Sequence, residues 1–415
     1  MGLNGFLLKN YVFFLVLSLV FGGISLEFFY TVKPFMWFIP ISCFLLKAHA
    51  TRYRIKPFEV CFLFFAVFAS MSYFWSFNPH ASLKMIIGLL VFCVLYVMNR
   101  SVILNIEMKD IVTSIINAGL VFCSISVVLY CYTLYQFGGD YSTMPYGNYL
   151  GLLMDRGVPR MTGTIRDPNL FAMTNMFFLF FSFVFFQRNL AKVLLLISIL
   201  VLILTFSRGG YVAAFLGFFT VALVRFGLTC KVSFNKNYLL VLVCSLFVVF
   251  LFYNLIPDAY VKEQQLFLAR FTSISVASGR VELWLNGFSL IKESPLLGFG
   301  VFTGKHLNVE YFSVHKYFHN SYLELLIEVG LIGFLLYLLF NFTAFFSVFK
   351  KRSALVNESD NFFVALVATH VSLLVSIASL TAYMNEMFLL VFSLYLVMVY
   401  SVDKVGYHKE THNVK

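Results

Sequence analysis

Long apolar runs, nearly free of charge, recur along this chain between short polar stretches. They fall at 11–30, 34–47, 58–76, 83–98, 111–135, 169–187, 191–206, 210–226, 238–256, 321–349, 361–382 and 386–402. Each is long enough to cross, or nearly cross, a hydrocarbon layer roughly 30 Å thick as a helix. Backbone polar groups in lipid must be paired internally, and runs of this kind read as helices rather than barrel strands. The pattern predicts an all-α integral membrane protein of about twelve transmembrane helices. No internal repeat or low-complexity stretch divides it, so a single polytopic domain over 1–415 is the simplest organisation. Lys9 followed by the run from Tyr11, with no A-x-A site after it, reads as an uncleaved first anchor.

Composition agrees. Of 415 residues 60% are hydrophobic and 12% charged, more apolar surface than a soluble protein of this length could hide. The net charge of +11 is not a nucleic-acid signature, because the basic residues sit in short clusters between apolar runs and form no stripe or known motif. With the N-terminus inside, the even-numbered connections become cytoplasmic. They hold Lys47, Arg52, Arg54 and Lys56; Arg100 and Lys109; Arg188 and Lys192; Arg225, Lys231 and Lys236; and Lys350, Lys351 and Arg352. The tail adds Lys404, Lys409 and Lys415. This is the positive-inside distribution, with both termini cytoplasmic. The cysteines (Cys43, Cys61, Cys93, Cys123, Cys131, Cys230, Cys244) fall in or beside apolar segments without metal or C-x-x-C spacing, and read as packing residues.

Two outside connections are long, 136–168 and 257–320. The second is expected to hold short helices, one over 259–271 lying in the interface plane and one over 280–292, capped by Ser278 and stopped before Pro295. On the latter, Trp284, Phe288 and Ile291 share a face. Both loops carry arginines against the topological bias: Arg156, Arg160, Arg166, Arg270 and Arg280, with Arg208 at the short outside turn before the eighth span. Arg166 precedes the turn-and-cap signal Asp167-Pro168-Asn169, Arg208 lies in Ser207-Arg208-Gly209-Gly210, and Arg280 falls in the first turn of its helix. Helix N-termini favour anions, and guanidinium groups add bidentate phosphate binding. Snorkelling to lipid phosphates, or pairing with Asp167 or Glu282, serves any one of these arginines as well. For the set, an anionic ligand at the outer membrane level accounts for more.

His319 opens His319-Asn320-Ser321-Tyr322 at the outer mouth of the tenth span, where an imidazole can exchange protons near neutral pH or serve as a hydrogen-bonded structural group. Gly330 and Gly333 follow on that helix and would permit close helix packing. His315 and His319 make an H-x3-H pair without a further ligand set, so no metal site is expected. His370, in mid-membrane without an acidic partner in sequence, reads as a neutral, satisfied histidine.

These residues resemble the O-antigen ligase and O-antigen polymerase superfamily. The likeness runs over 75–335 in Trp75-Ser76-Phe77-Asn78-Pro79; Gly163-Thr164-Ile165-Arg166-Asp167-Pro168-Asn169; Ser207-Arg208-Gly209; and Gly279-Arg280 through Trp284 to Pro295 and Gly298-Phe299-Gly300. Its strongest element is His319-Asn320, nine residues, then Gly330-x-x-Gly333, which continues with Phe334 where the family usually has a small or polar residue or Tyr. The resemblance implies a twelve-helix glycosyltransferase of the bacterial inner membrane, with a large periplasmic loop before the histidine motif and a periplasmic active site. It implies an undecaprenyl-pyrophosphate-linked glycan donor and, as acceptor, another lipid-linked repeat or the lipid A–core. No cofactor or metal is implied, and a chain-length regulator protein is a natural partner. Carried onto matching positions, Arg208 and Arg280 would join His319 as catalytic residues, and Arg166, Asn169, Asn320 and Tyr322 would bind substrate. A flippase or transporter of lipid-linked oligosaccharide is the competing reading, expected to show inverted repeats, broken helices and polar groups at mid-membrane. A non-catalytic structural membrane component is the third.

Overall fold

The computed structural model describes residues 3–21, 26–27, 31–46, 55–138, 144–155, 157–229, 280–349, 358–388 and 390–399. In chain order its helices are α1 (Leu3–Val20), α2 (Phe38–Leu46), α3 (Pro57–Met71), α4 (Pro79–Ile103), α5 (Met108–Gln136), α6 (Pro168–Val184), α7 (Asn189–Leu204), α8 (Arg208–Thr229), α9 (Arg280–Glu293), α10 (Gly304–Phe312), α11 (Ser321–Phe349), α12 (Glu358–Ile377) and α13 (Glu386–Val399). Six are long and apolar enough to cross a membrane: α3 with its 3-10 extension to Trp75, α4, α5, α8, α11 and α12. Five others are shorter apolar helices. The expected run at 238–256 and the helix at 259–271 lie outside the described residues, as do Arg156, Arg270, Cys230 and Cys244.

Helix starts follow local chemistry. Asn78 accepts from the Ala81 amide ahead of Pro79, and Asp167 accepts from the Asn169 and Leu170 amides ahead of Pro168. In each case a side-chain oxygen satisfies donors that an N-terminus leaves free, and the proline gives up none. Helix α6 is the centre of the bundle, buried on every side from Phe171 to Val184 and packed against α7, α8 and α12. Gly217 makes the α8–α12 contact close: a Cβ there would lie 2.2 Å from Ser372 Oγ, and Ser372 donates back to the Ala213 carbonyl. At one end of the bundle, Arg188 bonds Thr113 and Arg225 bonds Asn361, both at basic turns.

Three features depart from the sequence reading. The first apolar helix ends at Val20 rather than near residue 30; two short strands, β1 (Leu26–Glu27) and β2 (Thr31–Val32), pair beyond it, and Lys33 bonds Glu386. The 136–168 connection brings strands into a fold expected to be all-α. It folds as a three-stranded antiparallel sheet of β3 (Gly147–Tyr149), β4 (Gly151–Asp155) and β5 (Val158–Gly163). That sheet lies on the end of α5, where Tyr130 bonds the Pro159 carbonyl and Thr133 the Leu150 carbonyl. On α9 the buried positions are Leu283, Gly287 and Leu290, with Trp284 and Ile291 half-buried, while Phe288 is 54% exposed. The buried stripe sits a quarter-turn from the expected one, because Gly287 is where α9 meets Leu323 of α11.

Helix α11 is broken. Gly330 has φ 64 and ψ −170, so the amides of Leu331 and Ile332 cannot reach the carbonyls of Ile327 and Glu328. The segment 295–300 supplies what is missing. Leu331 and Ile332 donate to the carbonyls of Pro295 and Leu296, while Phe299 and Gly300 donate to those of Ile327 and Glu328. The two orphaned donors and two orphaned acceptors are thereby satisfied, as backbone at membrane depth requires. The segment fits because Gly298 and Gly330 pass at backbone contact: a Cβ on Gly298 would lie 2.6 Å from the Gly330 nitrogen. It is held from its far side by the Trp75 motif. Trp75 Nε1 donates to the Leu297 carbonyl, the Phe77 amide to the Phe299 carbonyl, and Ser82 Oγ to the Val301 carbonyl. Three of the sequence patches thus form one joint. Gly330 serves a break, not the close helix packing expected of it.

Two buried polar hubs complete the frame. Glu328 accepts from the amides of Phe302 and Gly304 and from the Tyr383 hydroxyl, which ties the 298–304 turn and the start of α10 to α11. His370 pairs through both ring nitrogens, with Tyr395 and Asn341, each at 3.0 Å. This is the satisfied histidine the sequence suggested.

Candidate functional site

The motif residues lie at the starts of helices, and those starts are linked one to the next. Asn169 on α6 accepts from Ser207 Oγ at 2.8 Å, joining the head of α6 to that of α8. Ser207 also caps α8, accepting from the Gly210 amide through its hydroxyl and from the Tyr211 amide through its carbonyl. Gly209 lets Ser379 close on the head of α8: a Cβ there would lie 2.2 Å from Ser379 Oγ. One residue on, Leu380 accepts from Ser321 Oγ at the head of α11. Asn320 caps α11, its side-chain oxygen accepting from Tyr322 and Leu323. Trp284 of α9 donates to the Phe318 carbonyl, beside His319. Arg208 and Arg280 are the first residues of α8 and α9.

Electrostatics bind the same groups. Burial lowers the pKa of His319, the Arg280 charge lowers it further, Asp167 opposes, and Lys316 adds to the lowering. The Arg280 pKa is lowered by burial and then by Arg208, with Asp167 opposing. Arginine stays charged through such shifts. Arg280 and Asp167 thus act on His319, and Arg208 and Asp167 on Arg280, at helix N-termini that each contribute partial positive charge. The backbone is left-handed at Arg166 (φ 67), Phe206 (φ 48) and His319 (φ 53), each just before a capping residue. Such strain on side-chain-bearing residues tends to gather where function needs it.

Not every candidate has the same standing. Arg166 is exposed beside Asp167 and is not part of the electrostatic set around His319 and Arg280. The oxygen of Asn169 is taken by Ser207 and by Arg160, which is 8% exposed and also donates to the Thr205 carbonyl and Asp155. The Tyr322 hydroxyl donates to the Leu374 carbonyl, within the bundle. Asn169 and Tyr322 thus use these groups within the frame of the bundle. Arg160 stood in the sequence only as one more loop arginine; its burial depends on the sheet, which had no signal. Asp167 was legible as a cap but not as a charge acting on His319. Among the described residues no group of three His, Cys, Asp or Glu side chains could hold a metal ion, so the H-x3-H pair gains no further ligand there.

Comparison with known proteins bears on this region. The family model described as O-antigen ligase matches residues 193–338, which contain Arg208, Arg280, His319 and the glycines of the broken helix. Over that stretch the chain is similar to the O-antigen ligase family. It is also 33% identical over 103 residues to the exopolysaccharide production protein ExoQ of Rhizobium meliloti (strain 1021). That match covers 22% of this chain and 24% of the relative, so the chain matches about a quarter of that protein's length.

Proposed function

We propose that this protein is a multi-pass glycosyltransferase of a bacterial inner membrane. It transfers a glycan from an undecaprenyl-diphosphate donor to an acceptor hydroxyl at the periplasmic surface. One observation carries the reading: the heads of the helices bearing Asp167, Arg208, Arg280 and His319 are linked by hydrogen bonds, with Arg280 and Asp167 acting on the charge of His319 and Arg208 on that of Arg280. His319 accepts the acceptor's proton as its oxygen bonds the anomeric carbon. The bond from that carbon to the phosphate oxygen breaks on the opposite face, the anomeric configuration inverts, and lipid diphosphate leaves. Guanidinium charge at Arg208 and Arg280 stabilises the leaving oxygens as they gain charge. Asp167 steadies the imidazolium that forms. Permanent charges in this role make a divalent metal unnecessary. The reading takes twelve spans with cytoplasmic termini, an orientation that the basic turns support, and 136–168 and 257–320 as the periplasmic loops.

A transporter would also carry a broken helix. Here two amides and two carbonyls freed at Gly330 are bonded by 295–300 instead of facing a cavity, which supports transfer over passage. The reading is tested by reconstituting the full chain with purified lipid-linked glycan and offering a second lipid-linked repeat or a lipid A–core. Product and free polyprenyl diphosphate should appear with one acceptor, at a rate unchanged by a chelator. Neither product forming with either acceptor would end the reading.

The pH profile has a definite sign. A base must be unprotonated to act, and burial, Arg280 and Lys316 together outweigh Asp167 in holding His319 below its ordinary 6.5. The transfer rate should therefore be flat at about pH 7–8 and fall on acidification with a midpoint below that of free histidine. A midpoint above it would contradict the assignment. Asp167→Asn should move the midpoint lower still.

A further inference from the structure

We propose that Trp284 and Glu324 are positioning residues that grip the Phe318 peptide from both sides and hold His319 against the helix bearing Arg280. The proposal rests on the role of His319 given above and adds residues that role does not name. Trp284 Nε1 donates to the Phe318 carbonyl at 3.1 Å, and the Phe318 amide donates to Glu324 Oε1 at 3.1 Å. Thr381 Oγ1 donates to the same Glu324 oxygen at 2.6 Å, so the grip is anchored in the 378–385 segment as well. Glu324 and Phe318 are both 0% exposed. A polar side chain placed there has to justify its desolvation by the bonds it makes.

The packing isolates this unit. Leu283 and Leu290 of α9 join Phe318, Leu323 and Ile327 in a small hydrophobic cluster separate from the main core, with Trp284 packed on its edge. The head of α9 and the His319 turn therefore move as one body, and Arg280 lies one turn of helix from Trp284. His319 has φ 53, a conformation that side-chain-bearing residues keep only where neighbours impose it. Fixing both the C=O and the N–H of the preceding residue sets the direction in which the imidazole leaves the backbone. Displacements on the order of 1 Å at such a group cost about a hundredfold in rate.

The test compares kcat and donor KM for the reconstituted full chain, with lipid-linked glycan purified from the producing cells, in Trp284→Phe, Glu324→Leu and His319→Ala. Trp284→Phe keeps the ring and removes only the donor. It should lower kcat about tenfold to a hundredfold with KM changed less than about threefold. The acid limb of its pH profile should move up as His319 leaves the field of Arg280. In the His319→Ala background neither substitution should lower the residual rate further. Equal losses with and without His319 would mean general damage and overturn the proposal, as would wild-type kcat in both single variants beside an inactive His319→Ala. A wild-type rate in His319→Ala would instead remove the base itself, and the proposed function's mechanism with it.

Discussion

His319→Ala is expected to lower glycan transfer by about a thousandfold while the protein inserts and accumulates normally. General-base groups contribute on the order of 10²–10⁴ in rate. His319 sits in the upper part of that range because the acceptor hydroxyl has no other neutral base among the groups that share the field. Arg208 and Arg280 are cations, and Asp167 spends an oxygen on two amides at the head of α6. The loss should fall on kcat, since the donor diphosphate is held by the arginines and not by the imidazole. Purified variant and wild type, assayed with the same donor and acceptor, give the comparison. A kcat within a factor of three of wild type would remove His319 from the chemistry. The His319 side chain is only half-buried, so a collapse in protein level is not expected.

The second large effect is structural. Gly330→Ala should prevent recovery of folded protein. Gly330 occupies a region of backbone space open essentially to glycine, where another residue costs about 1–3 kcal/mol in strain alone. The added Cβ would also lie 2.2 Å from the Leu296 carbonyl oxygen and 2.3 Å from its carbon. Backbone cannot give way there without losing the bonds that Pro295, Leu296, Phe299 and Gly300 make across the break. Four unpaired groups within a membrane span are far costlier than the strain. Gly147→Ala is the matched control, since a Cβ there meets only Tyr149 Cε2, at 4.0 Å. The yield of folded protein from each variant, with thermal unfolding of any that is recovered, would separate these cases. A Gly330→Ala protein as stable as Gly147→Ala would mean that the break is not a required part of the fold.

Much of this architecture could be read from the chain. Apolar runs bounded by Asn78-Pro79 and Asp167-Pro168 gave helices close to those found, because caps and proline act locally. The choice of His319, Arg208 and Arg280 also came from local signals: polar residues at helix starts, against the charge bias. What escaped was set by contacts across the chain. Nothing near Gly330 marks it as a break rather than a packing glycine; its partners lie 30–35 residues away, at 295–300. The sheet over 147–163 lacks the β-branched content that announces strands, and depends on Tyr130 and Thr133 of α5. The bonds that Asn169 and Tyr322 make inside the bundle had no local signal, because most of their partners, Arg160, Ser207 and Leu374, come from other elements. The buried face of α9 was misjudged because a small residue, Gly287, set the contact in place of the bulky Phe288.

The account stands on guanidinium groups from separate helices holding one lipid diphosphate. The most direct measurement is the binding of polyprenyl diphosphate, the proposed leaving product, to the purified full chain and to Arg208→Ala, Arg280→Ala and the double variant. Charge-assisted bonds of about 1.5–3 kcal/mol predict a ten- to hundredfold loss in each single variant. The double variant should lose less than the product of the two, since both groups act on one ligand. Binding equal to wild type in both single variants would contradict the shared site.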